Sequence, residues 1–213
     1  SFFKKALNRK KCADINDSKQ IKEGEREALF EQIKKLGEAG ELIWASGQAS
    51  VEEIETENIV GATCLAMKRA MDEVSFKSKK IWSPQEKSEN SLFSGLSKNE
   101  QGSWIVSVDG RPMKRLPYIH DGLIKGDTFS LAIAMGSLVA KVTRDRLMRM
   151  LAEKFPAYDF SSNKGYGSPK HLTGLRASGP CPHHRPRFLR NLLGQGPEGK
   201  TISPDKQSQL SFS

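Results

Sequence analysis

The amino-acid sequence predicts an α/β layer fold. Two observations point to it: short apolar runs alternate with helical segments, and two of these runs end at Asp-Gly or Gly-Asp turn signals. The chain has 213 residues, enough for one domain with a complete hydrophobic core. Charged residues make up 28% and hydrophobic residues 37%, a composition typical of soluble globular proteins.

The first part of the chain predicts two helices and a strand. Residues 1–16 are basic and irregular. Glu23–Leu36 carries apolar side chains on one face and predicts a helix. Leu42–Ala45 predicts a buried strand. Ser50, with a glutamate three residues later, forms a capping box that begins a helix from Val51 to about Val74.

The middle of the chain contains a long interruption and two further strands. Residues 75–103 are rich in serine, lysine and asparagine and predict a long surface insertion. Trp104–Val108 predicts a buried strand that ends at Asp109. Tyr118–Lys125 predicts a weaker strand, and a long helix follows from about Thr128 to Glu153.

The last part of the chain has short predicted elements and is richer in glycine. Ser161–Gly167 predicts a glycine-bearing loop, and Lys170–Ala177 predicts a short helix. Residues 194–213 have no apolar pattern and predict a disordered tail. The folded domain is therefore expected to span residues 1–193.

Charge is distributed unevenly along the chain. The net charge is +9, and residues 141–193 hold eleven Lys/Arg against three Asp/Glu. A basic surface of this kind favours phosphate contacts with nucleic acid, although a solvated basic face without a partner is an equally open interpretation. No apolar run is long enough to cross a membrane. Three widely spaced cysteines favour a reducing, cytoplasmic setting.

Two aspartates stand out by their position. Asp109 and Asp127 each end a predicted strand, where the sheets of α/β proteins place their ligands. Paired carboxylates favour Mg²⁺ or Mn²⁺, and such ions can assist phosphodiester hydrolysis. The alternative is structural, because aspartate beside glycine is common in turns.

Two histidine-containing segments are weaker candidates. Cys181-Pro-His-His184 has no second ligand pair at zinc spacing, which disfavours a zinc site. His120 and His171 are better explained as hydrogen-bonded residues than as metal ligands.

A set of short motifs in a fixed order resembles the ribonuclease HII family. The resemblance covers about residues 13–193. The motifs are Asn-Asp-Ser-Lys at 16–19, Glu-Ile and Asn-Ile at 53–54 and 58–59, Val-Asp-Gly at 108–110, Lys-Gly-Asp at 125–127, the small-residue run ending in Ala-Lys-Val-Thr-Arg-Asp at 140–145, Lys-Gly-Tyr-Gly at 164–167 followed by a histidine, and Gly-Pro with His-Arg at 179–185.

The resemblance implies a ribonuclease H-like mixed sheet flanked by helices. It also implies an endoribonuclease that acts on RNA–DNA hybrids, or on DNA duplexes with an embedded ribonucleotide, and cuts on the 5′ side of the ribonucleotide. Asp109 and Asp127 match two of the family's four metal-binding carboxylates, and Tyr166 matches the tyrosine that stacks on the junction sugar. Ser18 and Lys19 match a phosphate-contacting segment.

Charge and position extend this list of expected contacts. Phosphate contacts are inferred for Lys141, Arg144 and Lys164. We expect the protein to act as a monomer, without a membrane partner.

The sequence departs from the family pattern at its beginning. The family's Asp-Glu-x-Gly-Arg-Gly motif, which supplies the other two carboxylates, does not occur. The first strand or strands of the sheet are therefore expected to be missing, and the 213-residue chain is expected to be inactive and poorly folded, with a short or broken sheet. Two alternatives remain: a catalytically dead remnant that still binds duplex nucleic acid, and a basic RNA-associated structural protein.

Overall fold

A computed structural model describes residues 2–3, 15, 21–79, 81–87 and 105–192. Ser18, Lys19, Trp104, most of the 75–103 insertion and the 194–213 tail lie outside these ranges. The chain divides into two compact units, residues 1–48 with 63–144, and residues 49–62 with 145–213. Across the described ranges, no helix has the length and apolar character needed to cross a membrane.

The first unit begins with a two-stranded antiparallel sheet beside a helix. Strand β1 (Phe2–Phe3) pairs with β2 (Leu42–Ile43), and helix α1 spans Glu23–Glu38 between them. The predicted helix and strand are confirmed. The interpretation of residues 1–16 as wholly irregular was wrong for β1, because pairing with a strand 40 residues away leaves no local signal.

The second sheet of this unit is parallel. Strand β3 (Ser107–Asp109) pairs with β4 (Asp121–Leu123) in parallel register, Val108 opposite Gly122. The four-residue helix α3 (Gly126–Phe129) follows β4, and after one extended residue the long helix α4 (Leu131–Lys154) begins. The predicted α/β class is thus confirmed as a mixed chain with a small parallel sheet, whereas a ribonuclease H-like sheet that lacks its first strand or strands stays a prediction.

Both predicted strands of this sheet are shorter than expected. Only Val108 is buried in β3, and Ile105 is 76% exposed, so the expectation of a buried strand over Trp104–Val108 was wrong for its beginning. The physical reason is that β3 has a hydrogen-bonded neighbour, β4, on only one side among the described residues. A strand edge without a second neighbour receives no burial from that side.

The first unit has two apolar clusters. The larger is formed by side chains of α1, β2 and the first half of α4, with Ile33 and Leu138 fully buried. The smaller joins Cys64 of α2 to Val108 of β3 and Leu116. The larger cluster thus packs α1, β2 and α4 together, and the smaller one packs the parallel sheet against α2.

Part of the predicted insertion is ordered against this unit. Helix α2 (Val51–Lys77) continues past its predicted end. Further along, the amide of Ile119 donates to Gln85 at 2.8 Å and that of Lys87 to Pro117 at 2.7 Å. The expectation that the whole stretch extends away from the domain was therefore wrong for these residues. The β-bridge between Glu86 and Tyr118 depends on a partner about 30 residues later. The periodicity of a sequence cannot reveal such a distant partner.

The second unit begins with the capping box. The Ser50 amide donates to the Glu53 carboxylate at 2.8 Å, and the Glu53 amide donates to the Ser50 hydroxyl at 3.2 Å. This prediction is confirmed. Helix α2 then breaks at Asn58, whose φ of 58° is left-handed. Its side-chain oxygen accepts from the amides of Val60 and Gly61 and restarts the helix.

The rest of this unit consists of short helices. They are a 3₁₀ helix (Pro156–Tyr158), α5 (Phe160–Asn163), α6 (Pro169–Ser178) and α7 (Pro186–Leu192). The core joins the end of α4 to Tyr158, Phe160, Leu175 and Cys181. Helix α6 confirms the predicted short helix, whereas the predicted loop at Ser161–Gly167 was wrong for Ser161–Asn163, which belong to a helix too short to show a period.

Candidate active site

Asp109 is the last residue of β3, and its carboxylate points to the segment that follows β4. The amide of Gly126 donates to Asp109 Oδ1 at 2.9 Å. The adjacent amide of Gly110 donates to the Leu123 carbonyl at 2.9 Å and continues the pairing of the two strands. The Asp109 residue is exposed, so its other carboxylate oxygen is placed where a ligand can approach.

Asp127 is the residue after Gly126, whose amide donates to the Asp109 carboxylate. It is half-buried and lies in the first turn of α3, so the expectation that it ends a strand was wrong. The chain turns from β4 into α3 at Lys125, whose φ of 55° is left-handed. Non-glycine residues rarely adopt this conformation, and it is concentrated at functional sites.

Gly126 allows the close approach between these two segments. A β-carbon at this position would lie 3.3 Å from Asp109 Oδ1 and 2.6 Å from Ile133 Cδ1. Glycine is therefore the residue that fits between the Asp109 carboxylate and α4. If Asp109 and Asp127 share a metal ion, ordinary metal–ligand distances of about 2.1 Å predict that their carboxylates lie roughly 4–7 Å apart.

A cleft of about 590 Å³ is lined in part by β3. Its walls are contributed by residues 45–47, by α2 from Thr63 to Val74, by Trp82, by residues 105–109 and by residues 130–140. Asp109 is one of the lining residues. The cleft therefore borders the carboxylate that we consider as a ligand, and serine and threonine residues add hydroxyl groups to its mainly apolar lining.

The predicted phosphate-contacting residues of this unit lie on one side of α4. Lys141 is half-buried and Arg144 is exposed. Their spacing of three residues puts both on one face of the helix. Ser18 and Lys19 lie outside the described residues.

The second unit holds the remaining two predicted residues. Tyr166 follows α5 and its residue is 70% exposed, as a stacking ring requires. Lys164 is only 9% exposed, and its ammonium donates to the Ser161 carbonyl at 2.6 Å. The ammonium has three N–H donors and uses one of them here, so a phosphate contact by Lys164 stays a prediction.

The chain is similar in sequence to known proteins. A family model described as Ribonuclease HII matches residues 4–191. Relatives named "Ribonuclease HII" include one from Listeria monocytogenes serotype 4b, 43% identical over 176 residues (82% of this chain and 55% of the relative). Others are from Caldanaerobacter subterraneus, 38% identical over 180 residues (84% and 63%), and from Bacteroides thetaiotaomicron, 40% identical over 183 residues (85% and 76%).

The chain belongs to the ribonuclease HII family. Two of these three relatives are covered by less than two thirds of their length, and the chain spans 55% of the first. The resemblance inferred from the motifs is thereby confirmed.

Asp109 and Asp127, which match carboxylates of the ribonuclease HII motifs, could supply part of the ligand set of a hard divalent cation. Asp109 offers a carboxylate oxygen in addition to the one that accepts from Gly126, and Asp127, the residue after Gly126, carries a second carboxylate. Carboxylate oxygens are the ligands that Mg²⁺ and Mn²⁺ prefer. Within the described ranges, no cluster of three or more Asp, Glu, His or Cys residues forms a fuller ligand set.

Sequence analysis missed a pair of histidines in this ribonuclease HII chain. His171 Nε2 lies 2.9 Å from His184 Nε2, and His171 Nδ1 lies 2.8 Å from the Tyr166 carbonyl oxygen. Burial lowers the pKa of His184, and a backbone hydrogen bond at Cys181 opposes this effect. The sequence predicted that His171 is hydrogen-bonded and placed His184 both in a possible metal cluster and in a family motif, but nothing in it paired the two histidines.

Proposed function

We propose that this chain forms part of an endoribonuclease that hydrolyses RNA in RNA–DNA hybrids and cuts on the 5′ side of ribonucleotides embedded in DNA. The observation that carries the proposal is the hydrogen bond from the Gly126 amide to Asp109 Oδ1. It joins the end of β3 to the residue next to Asp127, so two family carboxylates occupy neighbouring backbone positions. Membership of the ribonuclease HII family supports the choice of substrate.

Asp109 and Asp127 would hold Mg²⁺ or Mn²⁺ in this proposal. The metal would supply charge stabilisation to the phosphodiester and a lowered pKa to an attacking water. The Gly126 amide donates a hydrogen bond that holds one oxygen of the Asp109 carboxylate in place. The other oxygen is left for the ion. Left-handed Lys125 fixes the direction in which the chain presents Asp127.

The basic residues and Tyr166 would bind the duplex. Lys141 and Arg144 share one face of α4 and offer positive charge to phosphates. Tyr166 offers an exposed ring to the sugar at the RNA–DNA junction, where the 2′-hydroxyl distinguishes RNA from DNA. We propose a cytoplasmic monomer, and the unpaired state of Cys64 and Cys181 is compatible with a reducing compartment.

One alternative is favoured by a specific observation. Two family carboxylates occur together, but no larger ligand cluster is found in the part of the chain that is described. A chain with a weakened metal site and an intact basic surface would bind duplex nucleic acid without cutting it. This alternative is a catalytically dead, duplex-binding protein.

A cleavage assay distinguishes the two functions. The substrate is a labelled DNA duplex with one ribonucleotide, incubated with the 213-residue chain in Mg²⁺ or Mn²⁺. The proposal predicts cutting 5′ of the ribonucleotide at an impaired rate, because only two of the family's four carboxylates are matched in this sequence, and loss of this residual cutting in Asp109→Asn and Asp127→Asn. Asp121→Asn is the matched control, because Asp121 is an exposed aspartate at the opposite end of the parallel sheet. Binding without cutting by the unmodified chain would instead support the alternative.

A further inference from the structure

His171 and His184 form a buried polar pair inside an aromatic cluster. The His171 residue is 7% exposed. The two rings meet through their Nε2 atoms at 2.9 Å. Tyr158 and Phe160 pack on both imidazoles, with ring centroids 4.8 to 6.1 Å away. His171 is buried and His184 is half-buried, and all four imidazole nitrogens have hydrogen-bond partners within the protein.

The outer partners of the two rings determine where the protons lie. The Tyr166 carbonyl can only accept, so His171 Nδ1 donates to it at 2.8 Å. His184 Nδ1 lies 3.0 Å from the Cys181 amide nitrogen and 3.3 Å from the Cys181 carbonyl oxygen. We assign the shorter contact, in which Nδ1 accepts from the amide. In the neutral pair, His171 Nε2 then has no proton and His184 Nε2 has one. The central 2.9 Å contact is therefore a hydrogen bond from His184 to His171.

This chain of hydrogen bonds ends at the backbone of Tyr166. The Tyr166 amide donates to the Asn163 carbonyl at 2.9 Å, and the Tyr166 carbonyl also accepts from the Ser168 amide at 2.8 Å. The Tyr166 residue itself is 70% exposed. Its ring is therefore placed by backbone contacts more than by side-chain packing.

We propose that His171 and His184 are positioning residues for Tyr166: the ordered proton chain from the Cys181 amide through both imidazoles fixes the Tyr166 carbonyl and thereby the direction of the exposed ring. This inference rests on the proposed role of Tyr166 at the RNA–DNA junction. Neither histidine touches the nucleic acid in this account.

The charged and titratable groups around the pair are consistent with a neutral state. The Tyr158 hydroxyl donates to the Gly179 carbonyl at 2.7 Å and is thus engaged elsewhere. His183, which is exposed, and the buried thiol residue Cys181 are the other titratable neighbours on the same loop. If both imidazoles were charged, both Nε2 atoms would carry a proton and the two N–H groups would face each other across 2.9 Å. The neutral pair can therefore take up at most one added proton. Burial lowers the pKa of His184 accordingly.

The proton order can be measured directly on the unmodified chain. Long-range ¹H–¹⁵N NMR of the 213-residue protein near pH 8 distinguishes a protonated imidazole nitrogen from a bare one. The inference predicts the Nδ1-H form for His171 and the Nε2-H form for His184. The reverse assignment for either ring would overturn it, and this measurement requires no variant.

Two substitutions of His171 separate positioning from simple packing. The amide nitrogen of asparagine reaches the place of Nδ1 and can still donate to the Tyr166 carbonyl, whereas that of glutamine reaches the place of Nε2 and cannot. The readout is the ratio of dissociation constants for an all-DNA duplex and a duplex with one ribonucleotide, measured in EDTA so that no cleavage occurs. We expect His171→Gln to lower this ratio about three- to tenfold and His171→Asn to retain most of it.

Tyr166→Ala distinguishes failure of this inference from failure of the proposed function. If Tyr166→Ala removes the preference for the ribonucleotide while His171→Gln keeps it, the positioning role is wrong and the role of Tyr166 stands. If Tyr166→Ala keeps the preference, or the unmodified chain has none, the proposed role of Tyr166 is wrong and the inference falls with it. Equal losses in both His171 variants would indicate packing alone and would also overturn it.

Discussion

Replacing Gly126 by alanine tests the contact that orients Asp109. The added β-carbon would lie 2.6 Å from Ile133 Cδ1 and 3.3 Å from Asp109 Oδ1, where ordinary contacts begin at 3.4 Å. The terminal methyl of Ile133 must therefore move by about 0.8 Å or rotate within a buried environment, and overpacking of this kind costs about 1–3 kcal/mol. The small shift required of Asp109 would also weaken its hydrogen bond to the Gly126 amide, which contributes about 1 kcal/mol.

Gly136→Ala is the matched control. Gly136 lies within α4, and a β-carbon there would meet nothing within 4 Å, so the substitution should stabilise the helix by up to about 1 kcal/mol. Urea unfolding should place Gly126→Ala below the unmodified chain and Gly136→Ala at or above it, a separation of about 2–3 kcal/mol. Equal stabilities for the two variants would refute the packing described around Asp109.

Three further predictions concern the second unit. Gly174→Ala should destabilise the chain by about 3 kcal/mol or more in urea unfolding, because its β-carbon would lie 1.8 Å from the Ala157 carbonyl oxygen; a loss under 1 kcal/mol would contradict this contact. Ser50→Ala should cost about 1 kcal/mol through loss of the capping box, whereas Thr56→Ala on the same helix should change the melting temperature little. The lowered pKa of His184 means that the unfolded chain takes up this proton first. Stability should therefore be complete above about pH 6.5 and fall as the pH decreases below it. His184→Gln should remove this dependence in thermal melts and His183→Gln should keep it.

Local signals in the sequence predicted the elements that local physics determines. The capping box at Ser50 and helix α1 were predicted because their interactions span three or four residues. The prediction that Asp109 and Asp127 are paired carboxylates came from their position after apolar runs and from motif order. The approach of Asp109 to the segment that carries Asp127 depends on a hydrogen bond between residues 17 apart in sequence. The sequence spacing allows this contact but does not predict it.

Other features were missed because they depend on distant partners or on unusual backbone. Strand β1 exists only through pairing with β2. The break at Asn58 and the turn at Lys125 depend on left-handed backbone at residues that are not glycine, for which composition gives no reliable signal. The contact between His171 and His184 joins two segments 13 residues apart through particular ring orientations, and these follow from aromatic packing that a sequence pattern does not contain.

The central claim is that Asp109 and Asp127 bind the same divalent ion. Titration of the 213-residue chain with Mn²⁺, followed by electron paramagnetic resonance of the free ion, measures this directly. The account predicts a site that is lost in Asp109→Asn and equally in Asp127→Asn, and retained in Asp121→Asn. A site that survives both substitutions, or one that depends on only one of the two aspartates, would contradict it.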